Sequence, residues 1–211
     1  SIKASVTSLQ DEAVDFDRGE RGELLQTILE ETDRLNRMVG NLLDLSRMRA
    51  GALVPAREPV AVADVIGGVL SRLRPVLEGR PVEVRVPEDL PDLPLDVVQF
   101  DQVLTNLLEN AVKFSPSGTA IEVTASRFRD GVQVRVVDHG EGIPEPEREQ
   151  VFEPFYRRDA DRAAPGSGLG LAIARAVVSV HEGRIWAEGT PAGGTTIVLE
   201  LPATRDGEEP R

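Results

Sequence analysis

The chain reads as an α+β protein: a two-layer α/β sandwich, with a mixed sheet and helices on one face, preceded by a helical hairpin. Three observations predict this. Leu24, Ile28, Leu35, Met38, Leu42 and Leu45 occupy alternating four- and three-residue steps, broken only at Glu31, which is the seam of packed or supercoiled helices. Beyond Pro59, helical and strand periodicities succeed one another as helix, strand, strand, helix, strand, strand, helix, strand, strand. Strict alternation would point to a parallel sheet; this order points to a mixed one. Finally, 211 residues suffice for one full domain and a smaller partner, and 40% apolar against 4% aromatic residues leave aliphatic side chains to fill the core.

From the N-terminus, SIKASVTSLQ (1–10) is amphipathic and reads as the end of a helix that starts upstream. Asp11–Gly19 is acidic and turn-like. A long helix is predicted from about Glu20 to Ala50, with Gly51 as its stop. Its other faces are heavily charged, which favours a bundle over a helix lying on a globular core. Leu53–Pro59 is a linker with prolines as breakers. Val62, Val65, Ile66, Val69, Leu70, Leu73 and Val76 mark a second amphipathic helix. VEVRV, between Pro81 and Pro87, alternates as a strand, and a short strand is expected over Leu93–Leu95. The stretch Asp101–Pro116 is read as a helix that ends before Ser115-Pro116. Ala120–Arg127 and Val132–Val137 form a hairpin about an Asp130-Gly131 turn. His139–Ser167 is long, polar and interrupted by Pro144, Pro146, Pro154 and Pro165, the character of a functional lid. Leu169–His181 is helical, and strands over Arg184–Glu188 and Thr195–Leu201 complete the sheet. The domains expected are a hairpin over 1–52, a linker over 53–59, a larger α/β domain over 60–203 and a polar tail over 204–211.

Charge and composition exclude several classes. A net charge of −12, from 36 acids and 24 bases, disfavours a nucleic-acid surface. Any polyphosphate must be held by local devices. With no cysteine there is neither a disulfide framework nor a thiolate metal site. No apolar run approaches a membrane span and no signal peptide opens the chain, so a cytoplasmic domain is expected, with any membrane anchor in other parts of a larger parent.

Candidate chemistry is concentrated in four stretches. In DQVLTNLLENAVKFSP, Asn106, Asn110 and Lys113 are neighbours on a helix face away from the apolar stripe. An amide oxygen is a neutral ligand for Mg²⁺, a lysine meets phosphate as a point charge, and Phe114 offers a ring for stacking. Taken alone, this face is either a ligand site or a solvated surface. Asp138 precedes Gly140 and Gly142. A carboxylate there accepts from the exocyclic amine of adenine while glycines admit the ring, or the motif is simply a turn. Gly166, Gly168 and Gly170 surround a helix start, where free N–H groups and the dipole favour an anion, or where glycines let helix and strand approach. Phe152 and Phe155 read as apolar anchors of the lid. Arg157, Arg158 and Arg162 either meet a terminal phosphate or are solvated. His139 reads as a hinge residue beside the lid, and His181 as a residue that packs or caps its helix.

The run NLLENAVKFSP, VDHGEGIP, VFEPFY and GSGLGLAI, in this order, resembles the nucleotide boxes of sensor histidine kinases, whose catalytic domain belongs to the Bergerat-type (GHKL) ATPases shared with gyrase, Hsp90 and MutL. The resemblance covers nearly the whole chain. It implies the Bergerat two-layer fold and the cofactors ATP and Mg²⁺, with Asn110 as the metal ligand. It implies a nucleotide site of Asn106, Asn110, Lys113, Phe114, Asp138, Gly140, Gly142, Ile143, Gly166, Gly168, Leu169, Gly170, Leu171 and Thr195, with Asp138 reading adenine and Thr195 on the adenine side. No residue is assigned a catalytic role. Two departures matter. Phe114 stands where the family often has tyrosine, keeping the ring and losing the hydroxyl. Asn106 stands where hydrolysing relatives carry a water-activating glutamate, which favours phosphotransfer over hydrolysis.

The family's acceptor histidine lies in a motif resembling HDLRTPL, which this sequence lacks; SIKASVTSL is similar to the segment immediately C-terminal to that motif in the family. The hairpin is thus expected to begin just after the acceptor, and the chain to bind ATP without phosphorylating itself. VTSL, GNLLDLSRMRAGAL and PGSGLGLAIARAVVSVHEG resemble the KdpD potassium-responsive sensor kinases, though no residue reads potassium. The resemblance further implies an inner-membrane-anchored parent, a homodimer through the hairpin, and a KdpE-like response regulator as partner. An anti-sigma-type serine kinase with the same ATP fold is the alternative, against which the long seam argues; a binding module without catalysis is another.

Overall fold

The computed structural model describes residues 2–10, 16–49, 54–158, 166–191 and 193–203, apart from the side chains of Glu30, Asp33, Arg34, Arg37, Asp44, Leu45, Met48 and Arg49. Gly51, Arg162, Pro165 and the tail from 204 lie outside the described residues, as does the seam side chain of Leu45. The chain divides into two units, residues 1–44 and 45–211.

The first unit holds α1 (Ile2–Gln10) and most of α2 (Arg18–Arg49). A reciprocal cap starts α2: Asp17 Oδ1 accepts from Glu20 N at 2.8 Å, and Glu20 Oε2 accepts from Asp17 N at 2.9 Å. This box begins the helix ahead of Glu20, where the apolar pattern alone put it. Of the seam residues, Leu24, Ile28 and Met38 are half-buried, while Leu35 and Leu42 are exposed together with Leu25, Leu29, Val39 and Leu43. The single chain therefore leaves much of this apolar side uncovered.

The second unit contains β1 (Glu58–Val60), α3 (Val62–Arg72), α4 (Arg74–Leu77), β2 (Val82–Arg85), β3 (Leu93–Leu95), α5 (Val97–Phe114), β4 (Ile121–Phe128), β5 (Gly131–Val137), α6 (Gly170–Val180), β6 (Arg184–Gly189) and β7 (Thr195–Pro202). The sheet order is β2-β4-β5-β7-β6, with β2 parallel to β4 and the other pairs antiparallel. Val123, Val136, Ile197 and Ala187 share one row across four strands and are all buried. Phe100, Leu104, Leu107 and Leu108 of α5 and Ile173, Ala174 and Val177 of α6 are buried as the helix layer. The expected mixed sheet and helix layer are both present.

Four local expectations are corrected. The linker contains a strand, β1, which pairs antiparallel with β3 in a separate two-stranded sheet. The second amphipathic helix breaks at Leu73, because Pro75 falls in the first turn of α4 and cannot continue an i→i−4 ladder; Val76 is 45% exposed and Leu77 is buried in its place. The β4–β5 turn is Arg129-Asp130, with Arg129 at φ +49°, and Gly131 lies in the strand opposite Phe128. Glycine is required there because a Cβ would sit 2.0 Å from the Leu201 carbonyl oxygen. The lid stretch carries two 3-10 turns, Glu145–Glu147 and Gln150–Phe152.

Candidate nucleotide site

Helix α5 supplies one wall. Asp96 caps it, accepting from Gln99 N at 3.1 Å. With Val103, Leu104, Leu107, Leu108 and Ala111 turned into the core, Asn106, Asn110 and Lys113 are left half-buried on another face. Asn106 Nδ2 donates to Gly170 O at 3.2 Å, so this amide orients the start of α6. Asn110 makes no side-chain hydrogen bond among the described residues. The Lys113 ammonium lies 4.3 Å from the centre of the Phe114 ring and 2.7 Å from where a Cβ of Gly166 would be. Gly166 therefore leaves room for the lysine, and the lysine reaches the glycine-rich loop.

That loop is tied to the lid. Gly168 has φ +72°, and a Cβ there would meet the Phe155 and Tyr156 backbone at 2.9 Å. Gly168 O accepts from Phe155 N at 2.9 Å. Leu169 is fully buried and Leu171 half-buried, while Gly170 stands 3.4 Å from Asn106 Oδ1, measured to a built Cβ. Of the two expected anchors, Phe152 is buried at 1% exposure beneath Arg175, whose guanidinium also bonds Glu149 and Glu153. Phe155 is not an anchor: it is 57% exposed at φ +64°, because its backbone is tied to Gly168 and turns the ring out.

The Asp138 loop is the opposite wall. Asp138 is 8% exposed, and its Oδ1 accepts from Gly140 N at 2.9 Å and from Thr195 N at 3.0 Å. Both backbone bonds fall on one oxygen, and the Thr195 hydroxyl is a further hydrogen-bond partner of the carboxylate. Burial pushes the carboxyl above its ordinary value, opposed by those two N–H groups and by the charge of His139. Gly140 and Gly142 are needed for close approach: a Cβ would lie 2.1 Å from Phe114 O at the first and 2.9 Å from Gly194 O at the second. Thr195 is buried, directly after the Gly193-Gly194 pair. Ile143, half-buried, receives Arg148 Nε on its carbonyl at 3.2 Å, and Gly142 O accepts from Arg158 NH1 at 2.6 Å. An open cleft of about 920 Å³ is lined by Gly142, Ile143, Tyr156, Arg157, Arg158, Gly189, Thr190, Gly193 and Gly194.

The fourteen expected residues fall on the α5 face, the Asp138 loop, the glycine-rich loop, the first turn of α6 or the start of β7. Pattern reading missed Gly194, which has φ +107° and no room for a Cβ beside the Asp138 carbonyl, and Ser167, whose Oγ accepts from Leu169 N at 3.3 Å. A glycine pair before a strand was the available signal for the first. Neither histidine faces this site as an open imidazole. His181 is 2% exposed with both nitrogens bonded, and His139 Nε2 lies 3.4 Å from Glu122.

Comparison with known proteins identifies the family. The sequence profile described as histidine kinase-, DNA gyrase B-, and HSP90-like ATPase covers residues 95–205, over half of the chain, and that of the His Kinase A (phospho-acceptor) domain covers residues 1–51. The chain is 38% identical over 180 residues to sensor protein KdpD of Escherichia coli (strain K12), covering 85% of this chain and 20% of the relative. It is 36% identical over 210 residues to sensor protein KdpD of Mycobacterium tuberculosis (strain ATCC 25618 / H37Rv), covering 98% and 24%. It therefore spans about a fifth to a quarter of those relatives' length. Among solved structures, the mycobacterial sensor histidine kinase MprB superposes with TM-score 0.63 at 36% identity over 70% of this chain and 97% of that one. Full-length ShkA in complex with AMPPNP superposes with TM-score 0.76 at 28% identity over 92% and 41%. The chain carries a phospho-acceptor-type segment at its N-terminal end and belongs to the histidine kinase-, DNA gyrase B- and HSP90-like ATPase family.

Proposed function

We propose that this site binds Mg-ATP and, in the whole protein, presents its γ-phosphoryl to a histidine, from which it passes to an aspartate of a response regulator. The observation that carries the nucleotide reading is Asp138: a buried carboxylate whose two backbone bonds both fall on Oδ1, so that Oδ2 takes no backbone donor. The adenine N6 amine supplies the matching donor, whereas guanine presents a carbonyl there. Lys113 and the N–H groups opening α6 meet phosphate oxygens. Asn110, whose amide has no partner among the described residues, fits Mg²⁺, an ion that takes few protein ligands and keeps water and phosphate oxygens for the rest. The ion neutralises phosphate charge; the protein's part is to hold the chain of phosphates straight and exclude water. The complex of ShkA with AMPPNP, a relative of the same fold, is in keeping with this reading.

Transfer is favoured over hydrolysis because Asn106 has no carboxylate and its amide is engaged with Gly170 O. His181 is unsuited as acceptor because burial and two hydrogen bonds leave no free nitrogen, and His139 lies on the adenine loop. The acceptor in this proposal is therefore a histidine outside this chain's sequence. The open apolar side of α2 supports dimerisation of the whole protein through its hairpin. A regulator of the KdpE type fits the KdpD relatives.

Calorimetric titration tests the site. The chain should bind ATP in preference to GTP, and Asn110→Ala should weaken ATP binding about tenfold with Mg²⁺ present while changing little without it. Equal binding of ATP and GTP by the unmodified chain would remove Asp138 as the reader of the base. An Asn110→Ala affinity insensitive to Mg²⁺ would remove Asn110 as its ligand.

A further inference from the structure

We infer that Arg80 is a positioning residue for this site, holding the Lys113–Phe114 end of α5 in register with the Asp138 loop; the inference rests on the nucleotide reading above. Arg80 stands outside every motif that pattern reading singled out, in the turn between α4 and β2. Its guanidinium spans the end of α5. NH2 donates to Val112 O at 2.8 Å and to Ser115 O at 2.9 Å. NH1 donates to Pro116 O at 2.9 Å and to Thr119 Oγ1 at 3.5 Å. Helix α5 ends at Phe114, so these carbonyls belong to the stretch that a helix C-terminus leaves without intrahelical partners, and a cation there also meets the negative end of the helix dipole.

The carbonyls that Arg80 holds flank the two site residues at the helix end. Val112 precedes Lys113, and Ser115 and Pro116 come after Phe114. The Phe114 carbonyl in turn faces Gly140 so closely that a Cβ there would lie 2.1 Å from the oxygen. Gly140 N donates to Asp138 Oδ1 at 2.9 Å. A continuous series of contacts thus runs from Arg80 through the end of α5 to the buried carboxylate, and the same helix end carries the lysine that reaches Gly166. A planar fork is suited to this, because it addresses several carbonyls in fixed directions, which an ammonium cannot do. Without it the helix end frays, and Lys113, Phe114 and Asp138 lose their mutual placement. Arg57 supplies a contrast. Its NH2 donates to Val180 O at 2.6 Å, at the end of α6 remote from the site, so the same kind of cap there places no site residue.

The test is titration of the chain with ATP and GTP in Mg²⁺, well below the melting temperature of every variant. Arg80→Ala should bind ATP about tenfold more weakly, and its preference for ATP over GTP should shrink, because the base-reading carboxylate is no longer held in place. Arg57→Ala should keep both affinity and preference. Arg80→Lys should fall between wild type and Arg80→Ala. Guanidinium ion at about 10 mM should restore part of the Arg80→Ala affinity by occupying the vacated fork; so little denaturant leaves a merely destabilised protein unchanged. If Arg80→Ala does not fold, Arg80→Gln carries the same expectations. Wild-type affinity and preference in the folded variant would overturn the inference and leave the nucleotide reading intact, as would guanidinium that restores no affinity. A wild-type chain with no ATP preference would overturn both.

Discussion

The two ends of the α5–α6 layer treat polar groups in opposite ways. At the end away from the site, nearly every group is paired. Asp96 Oδ1 accepts from Gln99 N, and its Oδ2 from Ala56 N at 3.0 Å and Gln99 Nε2 at 3.1 Å. Asp96 N donates to His181 Nε2 at 2.9 Å, while His181 Nδ1 sits 2.8 Å from Val177 O and so carries the proton. The exception among buried side-chain atoms is Gln99 Oε1, which has no partner among the described residues. At the other end, Asn110 makes no side-chain hydrogen bond among the described residues, and both backbone bonds to the Asp138 carboxylate fall on the same oxygen. Burying a carboxylate costs stability, and a protein retains that cost where a ligand later supplies a further donor. One end holds the helices together; the other is kept open.

Substituting Asp138 breaks the comparison at its open end and should give the largest effect. In Asp138→Asn, Oδ1 can still accept from Gly140 N and Thr195 N, but an NH2 replaces the oxygen meant for the adenine amine, so donor faces donor. ATP affinity should fall by up to about a hundredfold, and the preference over GTP should vanish. Stability should move the other way. The folded pKa of Asp138 lies above its ordinary 3.8, so the folded state binds the proton more tightly and stability falls as pH rises through the folded pKa. At neutral pH the ionised carboxylate is a burden that asparagine removes. Thermal melting of the ligand-free variant should occur at or above the wild-type temperature, and a marked drop would show that the open oxygen serves the fold instead.

Asp96→Ala breaks the closed end. Loss of the cap and of the bond to Ala56 N should lower unfolding free energy by about 1–2 kcal/mol in denaturant titration. ATP affinity measured far below the melting temperature should stay within about twofold, since no contact of Asp96 reaches a site residue. A loss of affinity comparable to that of Asp138→Asn would erase the distinction between the ends.

The smallest effect sharpens the comparison through pH. Burial holds His181 below its ordinary 6.5, joined by the charge of Arg57 and opposed by the Val177 carbonyl and by Asp96 and Glu182. The unfolded chain therefore binds this proton more readily. The contribution of neutral His181 is complete above pH 6.5 and is lost as pH falls from there through the depressed folded value. Denaturant midpoints measured across that interval should decline toward acid, and His181→Gln should flatten the decline. An unchanged pH slope in that variant would mean that another group carries it.

By itself, the sequence determined what depends on neighbours along the chain. Apolar periods placed the helices and most strands, because a side chain's face is set by its position in a 3.6- or 2-residue repeat. Glycine spacing marked the two loops of the site, since close backbone approach and left-handed φ leave few alternatives at Gly142 and Gly168. Asn110 and Asp138 were legible for the same reason: each belongs to a short motif with its own chemistry. Tertiary structure alone decided the rest. Phe155 looked like an anchor by composition, yet its bond to Gly168 turns the ring to solvent. β1 was too short to show a period and exists because β3 pairs with it. Arg80 reaches carbonyls 32 to 36 residues away, and His181 meets an N–H 85 residues away. A guanidinium or an imidazole has no preferred partner until the fold brings one within about 3 Å, and that proximity is a property of packed helices and strands, not of the order of residues.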